Sequence, residues 1–315
     1  MIKDFAADIA NGRLPQVSWV IAPSNTSEHA SWHPADGEDF SARLIKELEN
    51  NPEVYAKTVF ILNYDEGGQF YDHHWSPTPP VSESDGISTV STKGEPTDRM
   101  FPNTQFPWTA PMGLGFRVPL LIVSPWTRGN IVLSQVFDHT SVIKLIESRF
   151  NVSCPNISPW RRMVTGDMTA AFDWDHPNYT WPTLPDTSSY PNDTIYQCEH
   201  LPKPEIPATQ TYPQQEPGTR ISRALPYEFV VSDALSSSQL SMQLAVTGLA
   251  GSAFTLFDRL NLKTNAPQKY AVEAGKAISA NLNITSPGAY AFQLHGPNGT
   301  HARVYLAVCY VCGYV

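Results

Sequence analysis

Asp65 and Glu66 stand side by side in Asn63-Tyr64-Asp65-Glu66-Gly67-Gly68-Gln69-Phe70-Tyr71-Asp72-His73, a stretch that adds an Asp-His pair beyond a double glycine. Adjacent carboxylates suit a hard cation: they bind Ca²⁺, Mg²⁺ or Mn²⁺ well and Zn²⁺ acceptably. A divalent ion held there could neutralise a phosphoryl group under attack. Gly67 and Gly68 permit a sharp return of the backbone, which would bring His73 toward the same mouth. His29, in Ser27-Glu28-His29, is a second imidazole able to hydrogen-bond a phosphoryl oxygen or protonate a leaving alkoxide near neutral pH. His139 is the third, and it follows Asp138. Two alternatives stay open for that pair: a share in the chemistry, or Asp138 as a helix N-cap with His139 buried against a sheet. His33 and His74 match less well, and Arg117, Arg161 and Arg162 suit structural ion pairs and stacking as well as phosphate.

These groups need a scaffold. Thr58-Val59-Phe60-Ile61-Leu62 reads as a buried parallel strand with a helix before it. In open α/β sheets, catalytic groups collect at the carboxyl ends of strands, and Asp65 and Glu66 fall at that end. Around this strand the pattern predicts a helix over 1–11, a strand over 17–22, a helix over 40–48, a strand over 54–63, another over 116–123 and a helix over 142–150. The Pro/Ser/Thr/Gly stretch 76–113 has little periodicity and reads as a long loop able to roof a site. From about residue 175, Pro182, Pro185, Pro191, Pro202, Pro204, Pro207 and Pro213 predict an extended connector to 221. Short β-rich runs then recur over 228–231, 240–246, 254–260, 270–272, 289–294 and 302–308, the pattern of a small β-sandwich occupying 222–315.

The motif Asn-Tyr-Asp-Glu, three residues, aromatic-aromatic-Asp-His resembles the signature of the phosphoesterase family that contains the phosphatidylcholine-type phospholipases C and acid phosphatase A. Four more stretches match in the same order: Leu14 to Pro23 followed by Ser27-Glu28-His29, Leu114 to Trp126, Phe137 to Ser141, and Ile157 to Arg162 with Gly166-Asp167. Together they cover 1 to about 175. The resemblance implies an α/β fold, part of an alkaline-phosphatase-like sandwich, with the family's C-terminal β-sandwich present in one copy. It implies a phosphoric-ester hydrolase, with Asp65 and Glu66 on a divalent metal and His29, His73 and His139 toward the substrate. The partner would be a phospholipid or other phosphoester, met in transient contact with a membrane surface. The family's Glu-Asn-Arg-Ser-Phe-Asp-His and Gly-Pro-Thr-type segments do not occur among these residues. The expectation is therefore a chain that is the C-terminal part of a longer enzyme, with the nucleophile in the part before it. An acid phosphatase of the same family, or a catalytically silent binding protein, are the rival expectations.

Composition narrows the class. The 315 residues, 41% hydrophobic, can bury a sizeable core, and a formal net charge of −9 without a Lys/Arg cluster argues against a nucleic-acid partner. No apolar run approaches the ~20 residues of a membrane span, and no basic-then-apolar signal peptide opens the chain. Seven sequons, at Asn25, Asn151, Asn156, Asn178, Asn192, Asn283 and Asn298, exceed the two or three that chance would give and point to a secreted, glycosylated parent. Cys154 and Cys198 could form a bridge in an oxidising compartment, whereas Cys309 and Cys312 read as strand residues.

Overall fold

The computed structural model describes residues 1–68, 74–97, 110–129, 131–211, 214, 217–236, 239–284 and 290–306. Its helices are α1 (Ile2–Ala10), α2 (Pro34–Glu49), α3 (Pro52–Tyr55), α4 (His139–Phe150), α5 (Pro159–Val164) and α6 (Tyr190–His200). The strands are β1 (Phe60–Asn63), β2 (Gly86–Ser88), β3 (Pro96–Thr97), β4 (Ala110–Pro111), β5 (Leu120–Val123), β6 (Phe229–Ser236), β7 (Gln239–Val246), β8 (Ser252–Asp258), β9 (Gln268–Val272), β10 (Ala277–Asn283), β11 (Tyr290–His295) and β12 (His301–Leu306). Helices and short strands thus fill the N-terminal region and sheets the C-terminal one. By packing, the chain forms two units: 1–70 with 118–131 and 172–221, and 71–117 with 132–171 and 222–315.

In the first unit α2 buries Phe40, Leu44 and Leu48, spaced four apart so that they share one helix face. Pro34 suits its first turn, where a missing N–H costs nothing. Ile9, Leu48 and Tyr55 make the core, with Phe5, Phe60, Val123 and Trp181 packed against it. The strand expected to be buried and parallel is half-buried and antiparallel: β1 pairs with β5 through Phe60–Val123, Ile61–Ile122, Leu62–Leu121 and Asn63–Leu120. An apolar run favours extended backbone, but the direction of pairing is set by the strand that returns to it. Residues 17–22 form no strand, and Trp19 and Ile21 stand 68% and 77% exposed. Their apolar character has no ladder partner among the described residues, and a strand needs one. Where an extended connector was expected, α6 forms with Pro191 in its first turn. Just before it, Thr187 Oγ1 donates to Asp39 Oδ1 of α2 at 2.8 Å.

The second unit holds a β-sandwich. A three-stranded sheet, ordered β10-β7-β6, faces a five-stranded sheet, ordered β12-β11-β8-β9-β2. Leu240, Met242, Leu244 and Val246 alternate along β7, and with Phe254, Tyr270, Val272 and Phe292 they fill the space between the sheets. The other face of the larger sheet presents Ala253 and Ala271, on which Trp160 and Val164 of α5 pack. Among the described residues the stretch expected to be loop supplies β2, β3 and β4, and β2 joins the edge of the larger sheet as the parallel partner of β9, with Gly86 opposite Lys269. Gly86 has φ +150°, and a Cβ there would lie 1.7 Å from the Lys269 carbonyl oxygen. Only glycine fits.

Candidate active site

β1 ends at Asn63, and Asp65 and Glu66 follow one residue later, both exposed beyond its carboxyl end. Gly68 takes φ +64°, the left-handed turn that the double glycine promised. Between strand and carboxylates sits Tyr64, whose amide approaches the Pro119 carbonyl at 3.4 Å. Its hydroxyl donates to Glu28 Oε1 at 2.8 Å. Burial, then the hydrogen bond to Glu28 and the charges of Glu28 and Glu38, push the phenol up to about 12, so it stays a donor throughout the physiological range.

Glu28 belongs to the loop that carries His29. A short 3₁₀ turn, Ser24–Thr26, starts that loop, and Ser27 Oγ closes it on the Ser24 carbonyl at 2.8 Å. The Trp32 amide donates to the His29 carbonyl at 2.7 Å, and the Ser31 amide reaches His29 Nδ1 at 3.4 Å. With Nδ1 accepting, a neutral His29 ring carries its proton on Nε2, the nitrogen left to donate outward. His29 is exposed. Sequence patterning pointed to His29 and the carboxylates and missed what joins them. Tyr64 lies inside the quoted motif and Glu28 beside the histidine, but a contact across 36 residues leaves no periodic signal.

The remaining candidates fall elsewhere. Asp72 and His73 lie outside the described residues. His139 is exposed at the start of α4, in the other unit from His29, Asp65 and Glu66, and so is not buried against a sheet. Asp138 is the N-cap: it accepts from the Thr140 amide at 2.9 Å, while Ser141 Oγ accepts the Asp138 amide at 3.0 Å. Its other oxygen receives Arg161 Nη1 at 2.6 Å. Arg161 also forks onto Glu95, at 3.1 and 2.8 Å, so this arginine is committed to structure. Among the described residues no three His, Cys, Asp or Glu side chains gather closely enough to hold a metal ion. Asp65 and Glu66 offer the hard oxygen donors that such an ion requires. Cys154 and Cys198, considered for a bridge, are free thiols. Cys309 and Cys312 lie outside the described residues.

Residues 1–153 match the Phosphoesterase family, in the segment that carries the Tyr64–Glu28 contact and both carboxylates. The segment 1–153 belongs to this family. Residues 221–306 match the bacterial phospholipase C C-terminal domain. The non-hemolytic phospholipase C of Burkholderia pseudomallei is 44% identical over 302 residues, 93% of this chain and 42% of that protein. Its namesake in Pseudomonas aeruginosa is 42% identical over 297 residues, again 93% of this chain and 43% of the relative. Phospholipase C B of Mycobacterium tuberculosis is 39% identical over 228 residues, 71% of this chain and 40% of the relative. The chain thus spans less than half the length of these relatives.

Proposed function

We propose that this chain carries part of the active site of a phosphoric-ester hydrolase of the phospholipase C type, built on an alkaline-phosphatase-like α/β sandwich. The observation that carries the proposal is the pair Asp65–Glu66 at the carboxyl end of β1, tied through the neighbouring Tyr64 to the loop of His29 in a phosphoesterase-family segment. In this reading Asp65 and Glu66 hold a divalent ion, and the ion's contribution is charge neutralisation at the phosphoryl group. His29, with its proton on Nε2, hydrogen-bonds a phosphoryl oxygen. The nucleophile is a hydroxyl in the family's Gly-Pro-Thr-type segment. The accompanying β-domain favours phosphatidylcholine-like diesters, met at a membrane surface, over phosphomonoesters. Secretion of a glycosylated protein is supported by the exposure of the sequons at Asn25, Asn151, Asn156, Asn178, Asn192 and Asn298. Among the described residues no helix is long and apolar enough to cross a membrane.

The test is hydrolysis of p-nitrophenyl phosphorylcholine, with and without chelator, by this chain and by a version extended with the two family segments it does not contain. The extended protein is expected to turn over and to lose roughly three powers of ten in rate on Asp65→Asn. The 315 residues by themselves are expected to show little turnover. Activity of the extended protein that survives both chelator and Asp65→Asn would sink the metal role; metal-dependent turnover by the short chain would place the nucleophile within it.

A further inference from the structure

Two residues flank the proposed chemistry without sharing in it. Tyr64 precedes Asp65, Glu28 precedes His29, and the two meet at 2.8 Å across 36 residues of chain. A hydrogen bond from a phenol to a carboxylate is charge-assisted, and this one is part-buried, where water competes less well for either partner. A third residue makes the meeting possible. Gly37 lies buried within α2, and a Cβ there would stand 2.4 Å from Glu28 Cγ and 3.0 Å from Glu28 Oε1. Glycine in a helix interior costs about 1 kcal/mol relative to alanine. Here it leaves the notch in which the Glu28 side chain runs to Tyr64.

We infer that Tyr64, Glu28 and Gly37 form a positioning latch that holds the His29 loop at the Asp65–Glu66 end of β1. The latch rests on the proposed function for its purpose, but its mechanics stand apart from it. Tyr64 is anchored on one side by the end of β1 and by its amide contact with Pro119. On the other side the loop is short and internally tied, through Thr26 N to Pro23 O at 2.9 Å and Trp32 N to His29 O at 2.7 Å. Fixing Glu28 therefore fixes its neighbour His29. The three are positioning residues: none is asked to touch substrate.

Substitutions in the full 315-residue chain separate the latch from ordinary stability. Tyr64→Phe removes the donor, Glu28→Ala the acceptor, and Glu28→Gln keeps an acceptor oxygen. Gly37→Ala alters neither hydrogen-bonding group, favours the helix and fills the notch. Hydrogen–deuterium exchange over 24–32 is expected to rise about tenfold in Tyr64→Phe, Glu28→Ala and Gly37→Ala, and to stay within about twofold of wild type in Glu28→Gln. Exchange within α2 should not rise in Gly37→Ala. Loop exchange unchanged by Tyr64→Phe and Gly37→Ala would overturn the latch. A second measurement reads position directly: Mn²⁺ added to the chain is expected to broaden the His29 ring resonances, and Tyr64→Phe and Gly37→Ala to relieve at least half of that broadening. Full broadening in both variants would also overturn it. If Mn²⁺ broadens no resonance around Asp65 in the wild-type chain, the metal role falls, and the exchange result alone then decides the latch.

Discussion

Arg161 shows how a residue that could bind phosphate is diverted into structure. Its guanidinium, 18% exposed, lies between Glu95 and Asp138, 4% and 5% exposed, and also donates to the Gly113 carbonyl at 3.0 Å. Ser158 Oγ adds a further donor to Glu95 at 2.5 Å. The pairs are buried and satisfied on several sides, so breaking them by removing one partner costs far more than an exposed pair is worth. Arg161→Met is expected to destabilise the chain by about 3–5 kcal/mol in urea titration, because it strands two buried carboxylates. Glu95→Gln added to Arg161→Met should recover part of the loss. A single variant with wild-type stability would mean that the fork contributes nothing. At this scale the site was half legible in sequence: the Asp138 cap followed from residue types, whereas Arg161 reaching Glu95 across 66 residues did not.

At the scale of elements, the Arg162–Glu147 ion pair helps clamp α4 to α5. Arg162 donates to Glu147 at 2.9 and 2.8 Å, and the Cys154 amide donates to the same carboxylate. The Arg162 hydrogen bonds first, and then the Cys154 amide, hold Glu147 down at about 2, from an ordinary 4.5. A depressed carboxylate contributes stability that is complete above its unfolded value and lost as pH falls through the folded one. The clamp should therefore persist at neutral pH and weaken between about pH 4.5 and about pH 2. Thermal unfolding followed from pH 7 to pH 2 should show this slope, and Glu147→Gln should flatten it; an identical profile in the variant would sink the assignment.

The same scale explains what the sequence could reveal of the fold. Alternation over 240–246 found β7 because one of its faces is buried and the other is not. β10 escaped notice, since Ala277, Ser279 and Ala280 give little contrast in hydrophobicity. β2 was unreadable in principle: three residues gain their extended form from pairing with β9, some 180 positions away, and only the demand for a glycine at 86 hints at it. Apolar residues 17–22 misled in the opposite direction, because composition does not supply a ladder partner.

For the whole molecule, the decisive fact is that each unit has a core of its own. Ile9, Leu48 and Tyr55 serve one, and the sandwich residues around Leu244 and Phe254 serve the other. Covering both faces of the five-stranded sheet makes α5 part of the second unit, although it lies in sequence before the β-domain. Chains with separable cores depart from a single two-state transition. Calorimetry of the full chain is therefore expected to resolve two unfolding transitions, each answering to its own core. Trp160→Ala removes the fully buried indole that rests on Ala253 and Ala271, and should lower only the transition of the sheet-bearing unit, by about 3–5 kcal/mol. Leu48→Ala, a fully buried position on α2, should lower only the other, by about 2–5 kcal/mol. Circular dichroism assigns each transition, since one unit is rich in helix and the other in strand. A single transition shifted equally by both substitutions would show that the two cores unfold as one.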